Sequence, residues 1–350
     1  MKRLKSCVRL AHLCIGLLAS VYAIAIGLSG SLLVFRDNLM ALEHPEFHRG
    51  RAIENRVTAG DALRAVQVAY PEWKALTVTW PNERWPYWMI YLQRGSEALQ
   101  VYVDTGTGAV VGSIDPKRGR AGWLARVHVN LLAGRIGRRL NGYGGLALLA
   151  LSVSGPFLWW PRRGHWRQVH YSVGIVSAAF IATLAFTGAY FNWTQAYIAA
   201  VDRIFDRTSE PRAANRGGSL LPLEELARLA QRVFPQRSLY RIQVVDGAGQ
   251  AVRVTVREGT IDEFHKVSTV FLDPVTGAVL GTVPLSGRPA GDTLLGLLSA
   301  VHFGVFGGWP VKILWAALSL SLPVLSVTGC CLWWRRVIAP RNPRPYGTGL

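Results

Sequence analysis

Cysteine is scarce. The 350 residues hold four, Cys7, Cys14, Cys330 and Cys331, with no CxxC pair and no CxxCH. That excludes a disulfide scaffold, a zinc ribbon and covalently attached c-type haem. GxSxG, HExxH, the P-loop and GxGxxG are also missing, so no motif supports a hydrolase, a zinc protease, an NTPase or a nicotinamide or flavin enzyme. Acidic residues are absent from every long apolar run: all 21 fall between residues 36 and 126 or between 192 and 300. Disorder is excluded by 13 Trp, 11 Tyr and 12 Phe in a chain that is 50% hydrophobic. With only 17% charged residues and recurrent apolar runs, a compact soluble enzyme is disfavoured.

Four runs are long and apolar enough to cross a hydrocarbon core of about 30 Å, which takes about 20 helical residues. They are Leu10 to Phe35, Tyr143 to Trp160, Tyr171 to Trp193 and Ile313 to Trp334. Only His12 in the first is ionisable. Trp159, Trp160, Trp193, Trp309, Trp333 and Trp334 mark the ends, where amphipathic rings favour the headgroup level. The first run follows a basic stretch as a signal peptide does, but it far exceeds an h-region of about 7–15 residues and reads as a retained anchor.

The formal charge is +18. Between residues 36–126 and 192–300, 24 basic residues nearly balance the 21 acids, so most of the excess sits at membrane ends. Lys2, Arg3, Lys5 and Arg9 precede the first run, Arg162, Arg163 and Arg167 join the second to the third, and Arg335, Arg336, Arg341 and Arg344 follow the fourth. The positive-inside rule places these three clusters in the cytoplasm, against Arg135, Arg138, Arg139 and Lys312 on the other side. Both termini are then cytoplasmic. The charge is a topology signal and gives no support to a nucleic-acid partner.

The chain reads as a duplication. His12 precedes Gly30 by 18 residues and His170 precedes Gly188 by 18; His128 precedes Gly155 by 27 and His302 precedes Gly329 by 27. The outward segments repeat too. Ala59 to Tyr70 and Leu223 to Phe234 show helical periodicity and are stopped by Pro71 and Pro235. Three strand-like runs follow each, then Asp104-Thr105-Gly106-Thr107-Gly108 or Asp273-Pro274-Val275-Thr276-Gly277. Each unit of about 60 residues is small for a stable core, and pairing the two is the natural remedy. The expected fold is an α-helical integral membrane protein with four transmembrane helices in a duplicated arrangement and two small α+β domains outside. The expected boundaries are helix one at 10–35, outward domain one at 36–127, an interfacial helix and helix two at 128–160, and a cytoplasmic loop at 161–169. Helix three at 170–193, outward domain two at 194–300, an interfacial segment with helix four at 301–334, and a cytoplasmic tail at 335–350 complete it.

This order resembles the PepSY-associated transmembrane family of bacterial inner-membrane proteins. The likeness rests on His-led helices, helix-plus-strand units closed by the Asp and Gly turns, and the endings Trp159-Trp160-Pro161-Arg162-Arg163 and Trp333-Trp334-Arg335-Arg336. It implies PepSY-like extracytoplasmic domains, a cytoplasmic (inner) membrane location and a link to iron uptake, some members being haem-containing reductases of ferric siderophores. The expected partners are a ferric siderophore or other ferric chelate, a quinol or cytoplasmic reductase as electron donor, and membrane lipid; a homo-oligomer stays open.

Imidazole is a common axial ligand of haem iron, and an ionisable residue at a membrane span is costly without a role. Topology puts His12 and His170 near the cytoplasmic face and His128 and His302 near the outer face, so each pair is expected to ligate one haem b, two per chain. Gly16 and Gly174, one turn beyond His12 and His170, let a flat macrocycle approach. For any one histidine, an interface anchor or packing residue is the commoner role; four at matched places favour the ligand reading. His44, His48, His165 and His265 lack counterparts and read as solvated. The cluster Trp73, Trp80, Trp85, Tyr87 and Trp88 reads as sheet core or as a platform for a bulky ligand. The rival functions are a non-redox regulator binding a periplasmic peptidase or other partner, and a metal or siderophore permease component.

Overall fold

The computed structural model describes residues 2–48, 53–54, 56–158, 164–214, 217–247, 249–261, 263 and 265–337. Trp159, Trp160, Arg162, Arg163, Arg341 and Arg344 lie outside them. The chain forms two compact units. One comprises residues 1–34, 124–194 and 309–350, the other 35–123 and 195–308.

The first unit is helical: α1 (Lys2–Leu33), the end of α4 (Gly119–Asn130), α5 (Gly134–Leu158), α6 (His165–Asn192), α10 (Gly308–Ser319) and α11 (Ser321–Val337). α1 packs on α5 and α11, and α6 packs on the same two. Its polarity is inverted relative to a soluble bundle. Leu18 is 87% exposed and Val21 78%, while Ser29, Ser177, Thr187 and Thr328 are buried. Apolar side chains outside and small hydroxyls between helices suit a lipid solvent, where close packing replaces hydrophobic burial as the glue. Each of those hydroxyls donates to the carbonyl four residues back, so none is an orphan. Among the described residues, three stretches are long and apolar enough to cross a bilayer: Arg3–Leu33, His165–Asn192 and Gly308–Val337. α5 carries Arg135, Arg138 and Arg139 in its first turns; Arg138 Nη2 donates to Phe191 C=O (2.6 Å) and satisfies an end carbonyl of α6.

The last apolar run differs from the single helix its hydropathy implies. α10 and α11 meet at Leu320 because Pro323 has no N–H for the Ser319 carbonyl and its ring crowds that group. The Leu320 N–H turns instead to Ala317 C=O, 3.2 Å away.

The second unit is built on one antiparallel sheet of eight strands in the order β4-β3-β2-β1-β5-β6-β7-β8. The first meander is β1 (Lys74–Thr79), β2 (Tyr87–Arg94), β3 (Glu97–Asp104) and β4 (Val110–Ile114); the second is β5 (Ser238–Gln243), β6 (Val252–Arg257), β7 (Val267–Leu272) and β8 (Val279–Val283). They join where Val78 faces Ile242 and Thr79 faces Arg241. Joining removes two of four exposed edges, and the two that remain are five-residue strands. α3 (Ala59–Ala69) and α8 (Leu223–Val233) contribute to the core with one face of the sheet: Val66, Val78, Ile90 and Val101 from the first copy, Leu226, Ile242, Val254 and Val270 from the second. Each such fully buried side chain contributes about 1.5–3 kcal/mol.

The repeated turns follow from their sequences. Asp104 Oδ1 accepts from Gly106 and Thr107 N–H, Asp273 Oδ1 from Val275 and Thr276 N–H, and each turn ends at a glycine in the left-handed region, Gly108 (φ +74°) and Gly277 (φ +72°). A capping box holds the start of α3, where Thr58 and Asp61 bond each other's backbone N–H. Glu224 of α8 also accepts from the Gly60 N–H, tying the helices of the two copies together.

The tryptophan cluster is largely core. Trp88 is buried and donates its Nε1 proton to Val57 C=O at 3.1 Å, with Trp80 edge-on at 5.2 Å. Tyr87 is buried with Phe47 and Tyr102 beneath α2 (Arg36–Glu43), and Trp85 stacks on Tyr102 at 5.5 Å. His48 departs from the solvated reading: its ring lies 3.6 Å from that of Trp85, and it is half-buried.

Candidate functional site

In the helical unit α1, α5, α6 and α11 line a cavity of about 640 Å³. That falls within the range of about 300–1,000 Å³ usual for ligand and cofactor sites. His12 and His170 both line it, from α1 and α6. Gly16, Gly155, Gly174 and Gly329 line it too, among leucines. Arg9 and Arg167, each three residues before its histidine, line it together with Arg336. The duplication has therefore produced a two-sided chamber. Each side presents an imidazole, bare glycine backbone and an arginine.

Hydrogen bonds decide how the imidazoles are presented. His12 Nδ1 lies 2.7 Å from Ser154 Oγ, and that hydroxyl donates to Ala150 C=O at 2.7 Å. His170 Nδ1 lies 2.9 Å from Thr328 Oγ1, which donates to Val324 C=O at 2.7 Å. A hydroxyl has one proton. Given to the helix carbonyl, it leaves the oxygen as an acceptor for Nδ1–H, which assigns the tautomer and leaves the lone pair on Nε2. That is the form in which a histidine ligates a metal, its other nitrogen held by an outer partner.

His128 repeats the arrangement. It sits near the end of α4, with Nδ1 3.1 Å from Ser29 Oγ, and Ser29 donates to Ala25 C=O at 2.6 Å. Its backbone carbonyl accepts from Asn141 Nδ2 (3.0 Å), and Asn141 Oδ1 accepts from the Tyr22 hydroxyl (2.9 Å). The reversal into α5 holds Leu131 (φ 50°) and Leu132 (φ 59°) in the left-handed region, a strain of about 1–2 kcal/mol for each residue.

Each of these three hydroxyls is followed by the glycine that its histidine faces. A Cβ on Gly30 would stand 2.9 Å from His128 Cε1, one on Gly329 3.3 Å from His170 Cε1, and one on Gly155 3.7 Å from His12 Cε1. The repeat intervals counted from His12, His128 and His302 therefore end on the glycine of a different histidine's site: Gly30 faces His128, Gly155 faces His12 and Gly329 faces His170. Ser29-Gly30, Ser154-Gly155, Thr187-Gly188 and Thr328-Gly329 form one recurring dyad, a signal for these positioning residues that the histidine count alone passes over. His302 lies one residue from the end of α9 (Ala290–Phe303), in the sheet-bearing unit, ahead of the left-handed cap Gly304.

Among the described residues no three His, Cys, Asp or Glu side chains gather to hold a bare metal ion. A planar macrocycle such as haem, which brings four nitrogens of its own, would ask of this chamber only the two imidazoles, close backbone and cations for its carboxylates.

Fold and site define an integral membrane protein in which one unit, duplicated and helical, presents hydroxyl-held histidines to a chamber, and the other is built on a duplicated sheet. The chain matches the family of the PepSY-associated TM region over residues 9–336 and belongs to it. No curated protein matches the chain.

Proposed function

We propose that this protein is a haem-b reductase of the bacterial inner membrane, passing electrons to a ferric chelate in the periplasm. The observation that carries the reading is the pair His12 and His170, at matched places of the repeat, lining one chamber with Nδ1 engaged and Nε2 left for a ligand. In this reading four spans place both termini in the cytoplasm and the sheet-bearing segments outside.

His12 and His170 would hold the inner haem, with Arg9, Arg167 and Arg336 lining the same chamber as partners for its carboxylates. By their matched places in the repeat, His128 and His302 would hold the outer one. Haem supplies one-electron chemistry between ferric and ferrous iron. The protein's part would be to hold these imidazoles and set their basicity through Ser154, Thr328 and Ser29. Hard oxygen donors grip ferric iron and hold the softer ferrous ion poorly, so one electron loosens the chelate. The electron donor is a quinol or a cytoplasmic reductase.

The test is the absorption spectrum of the full chain purified in detergent from haem-replete cells, with haem counted as the pyridine complex. A Soret band, sharp low-spin bands on reduction and two haems per chain are expected. A colourless preparation overturns the reading and leaves the regulator as the better account. Anaerobic mixing of the reduced protein with ferric chelates then tests electron delivery by reoxidation.

A further inference from the structure

We propose that Arg241, Arg257 and Tyr240 form a binding site for an anionic, carboxylate-bearing ligand on the sheet face opposite the core helices. Both first strands carry a bulge, between Ala75 and Thr77 in β1 and between Leu239 and Arg241 in β5. Lys74 pairs with Gln93 where Ser238 pairs with Arg257, and Thr77 pairs with Tyr91 where Arg241 pairs with Thr255. The registers make Arg241 the counterpart of Thr77, Arg257 of Gln93 and Arg253 of Met89. Ile90 and Leu92 in one copy and Val254 and Val256 in the other are buried, so the intervening residues face away from that core. One copy has thus placed three arginines where the other has none.

Arg253 is accounted for by its ion pair with Glu210. The other two are different. Neither Arg241 nor Arg257 has a carboxylate within ion-pair distance among the described residues, and the nearby Glu258 is taken by Arg237 at 3.1 Å. Both are half-buried, and Arg257 Nε is enclosed with no acceptor. The bulge sets Tyr240 beside Arg241. The Tyr240 ring lies 5.0 Å from the Arg241 guanidinium carbon and 4.4 Å from that of Arg257. Arg241 Nη2 donates to the Tyr240 hydroxyl and Nε to Thr79 Oγ1, both at 3.2 Å. That hydroxyl accepts from Arg241 and keeps its own proton to donate.

The two guanidiniums therefore present N–H donors with no carboxylate to meet them. Contact with the Tyr240 ring attracts each guanidinium; it does not explain two like charges side by side and half-buried. A carboxylate resolves both, accepting in parallel from a planar fork. If the function proposed above holds, the ligand is a ferric chelate with free carboxylates, of the hydroxycarboxylate kind.

The other copy supplies the test substitutions. The probe is redox-inert gallium citrate, titrated calorimetrically into the full chain in zwitterionic nanodiscs. Saturable binding is expected. Arg241→Thr and Arg257→Gln, which install the residues of the first copy, weaken it about tenfold or more each, as loss of a charged hydrogen bond does. Arg257→Lys, which keeps the charge and loses the fork, is intermediate, and Arg253→Met leaves binding unchanged. No saturable binding by the native chain, equal binding by the two variants, or binding of phosphatidylglycerol vesicles in place of citrate overturns the site. No electron is read in this titration. A protein without haem can still pass it, and failure here leaves the haem spectrum untouched.

Discussion

The hydroxyl at Thr328 is the most exposing point of the haem reading. Thr328→Val keeps shape and volume and removes the acceptor 2.9 Å from His170 Nδ1. The consequence is worked from two sides. A buried N–H left unsatisfied costs about 1–3 kcal/mol. Loss of an outer partner to a ligating histidine lowers metal affinity about 10–100-fold, which is about 1.4–2.8 kcal/mol. The two ranges agree, so Thr328→Val weakens inner-haem binding about 10–100-fold. Ser154→Ala, which removes the partner 2.7 Å from His12, does the same. The assay is haem titration of the stripped protein, followed at the Soret band, with a midpoint potential for the inner haem. Thr328→Ser keeps the acceptor and restores native affinity, separating a hydrogen-bonding role from a packing one. Native affinity and potential in Thr328→Val would refute the reasoning.

Four further outcomes follow from the same geometry. His12→Ala or His170→Ala removes one haem per chain and His128→Ala the other; the pyridine assay counts them, and loss of neither on any of these substitutions refutes the pairing. Gly30→Ala sets a methyl 2.9 Å from His128 Cε1 and displaces that ring, so the outer haem's low-spin spectrum is lost while the inner one stays. Ile242→Ala, fully buried opposite Val78 at the seam, costs about 2–5 kcal/mol in denaturant unfolding. The last concerns pH. Hydrogen bonds from Thr58 hold the Asp61 carboxyl low; partial burial pushes Glu224 up, but hydrogen bonding, with the Gly60 N–H among the donors, outweighs it and holds it below its usual range. Groups lower in the folded than the unfolded state stabilise above the unfolded pKa of about 4, and that stability is lost as pH falls through the folded values. Glu224→Gln should thus flatten the acid limb of thermal unfolding and cost about 1 kcal/mol at pH 7, on the scale of a lost cap. An unchanged acid limb counts against the tie.

The features readable along the chain are those set by local periodicity. Apolar length announced the membrane helices, and the Asp and Gly turns carry their geometry in their own side chains. The repeat singled out His12, His128, His170 and His302 because duplication preserves spacing. The dyads were harder to read. A serine or threonine before a glycine in an apolar helix has the composition of ordinary helix packing, and it acquires a role only when a distant helix brings an imidazole to it.

Sequence alone determined that this is a duplicated membrane protein of the PepSY-associated family with matched histidines, because hydropathy, charge bias and spacing are properties of the chain taken in order. Tertiary structure decided which partner each histidine has. Ser154 serves His12 and Ser29 serves His128, across intervals of 142 and 99 residues. It also decided that the two strand units share one sheet and that Arg241 and Arg257 converge on Tyr240. The physical reason is the same in each case. A hydrogen bond, a strand pairing or a charge cluster depends on distance in space, and no local pattern records which remote segment folding brings within 3 Å.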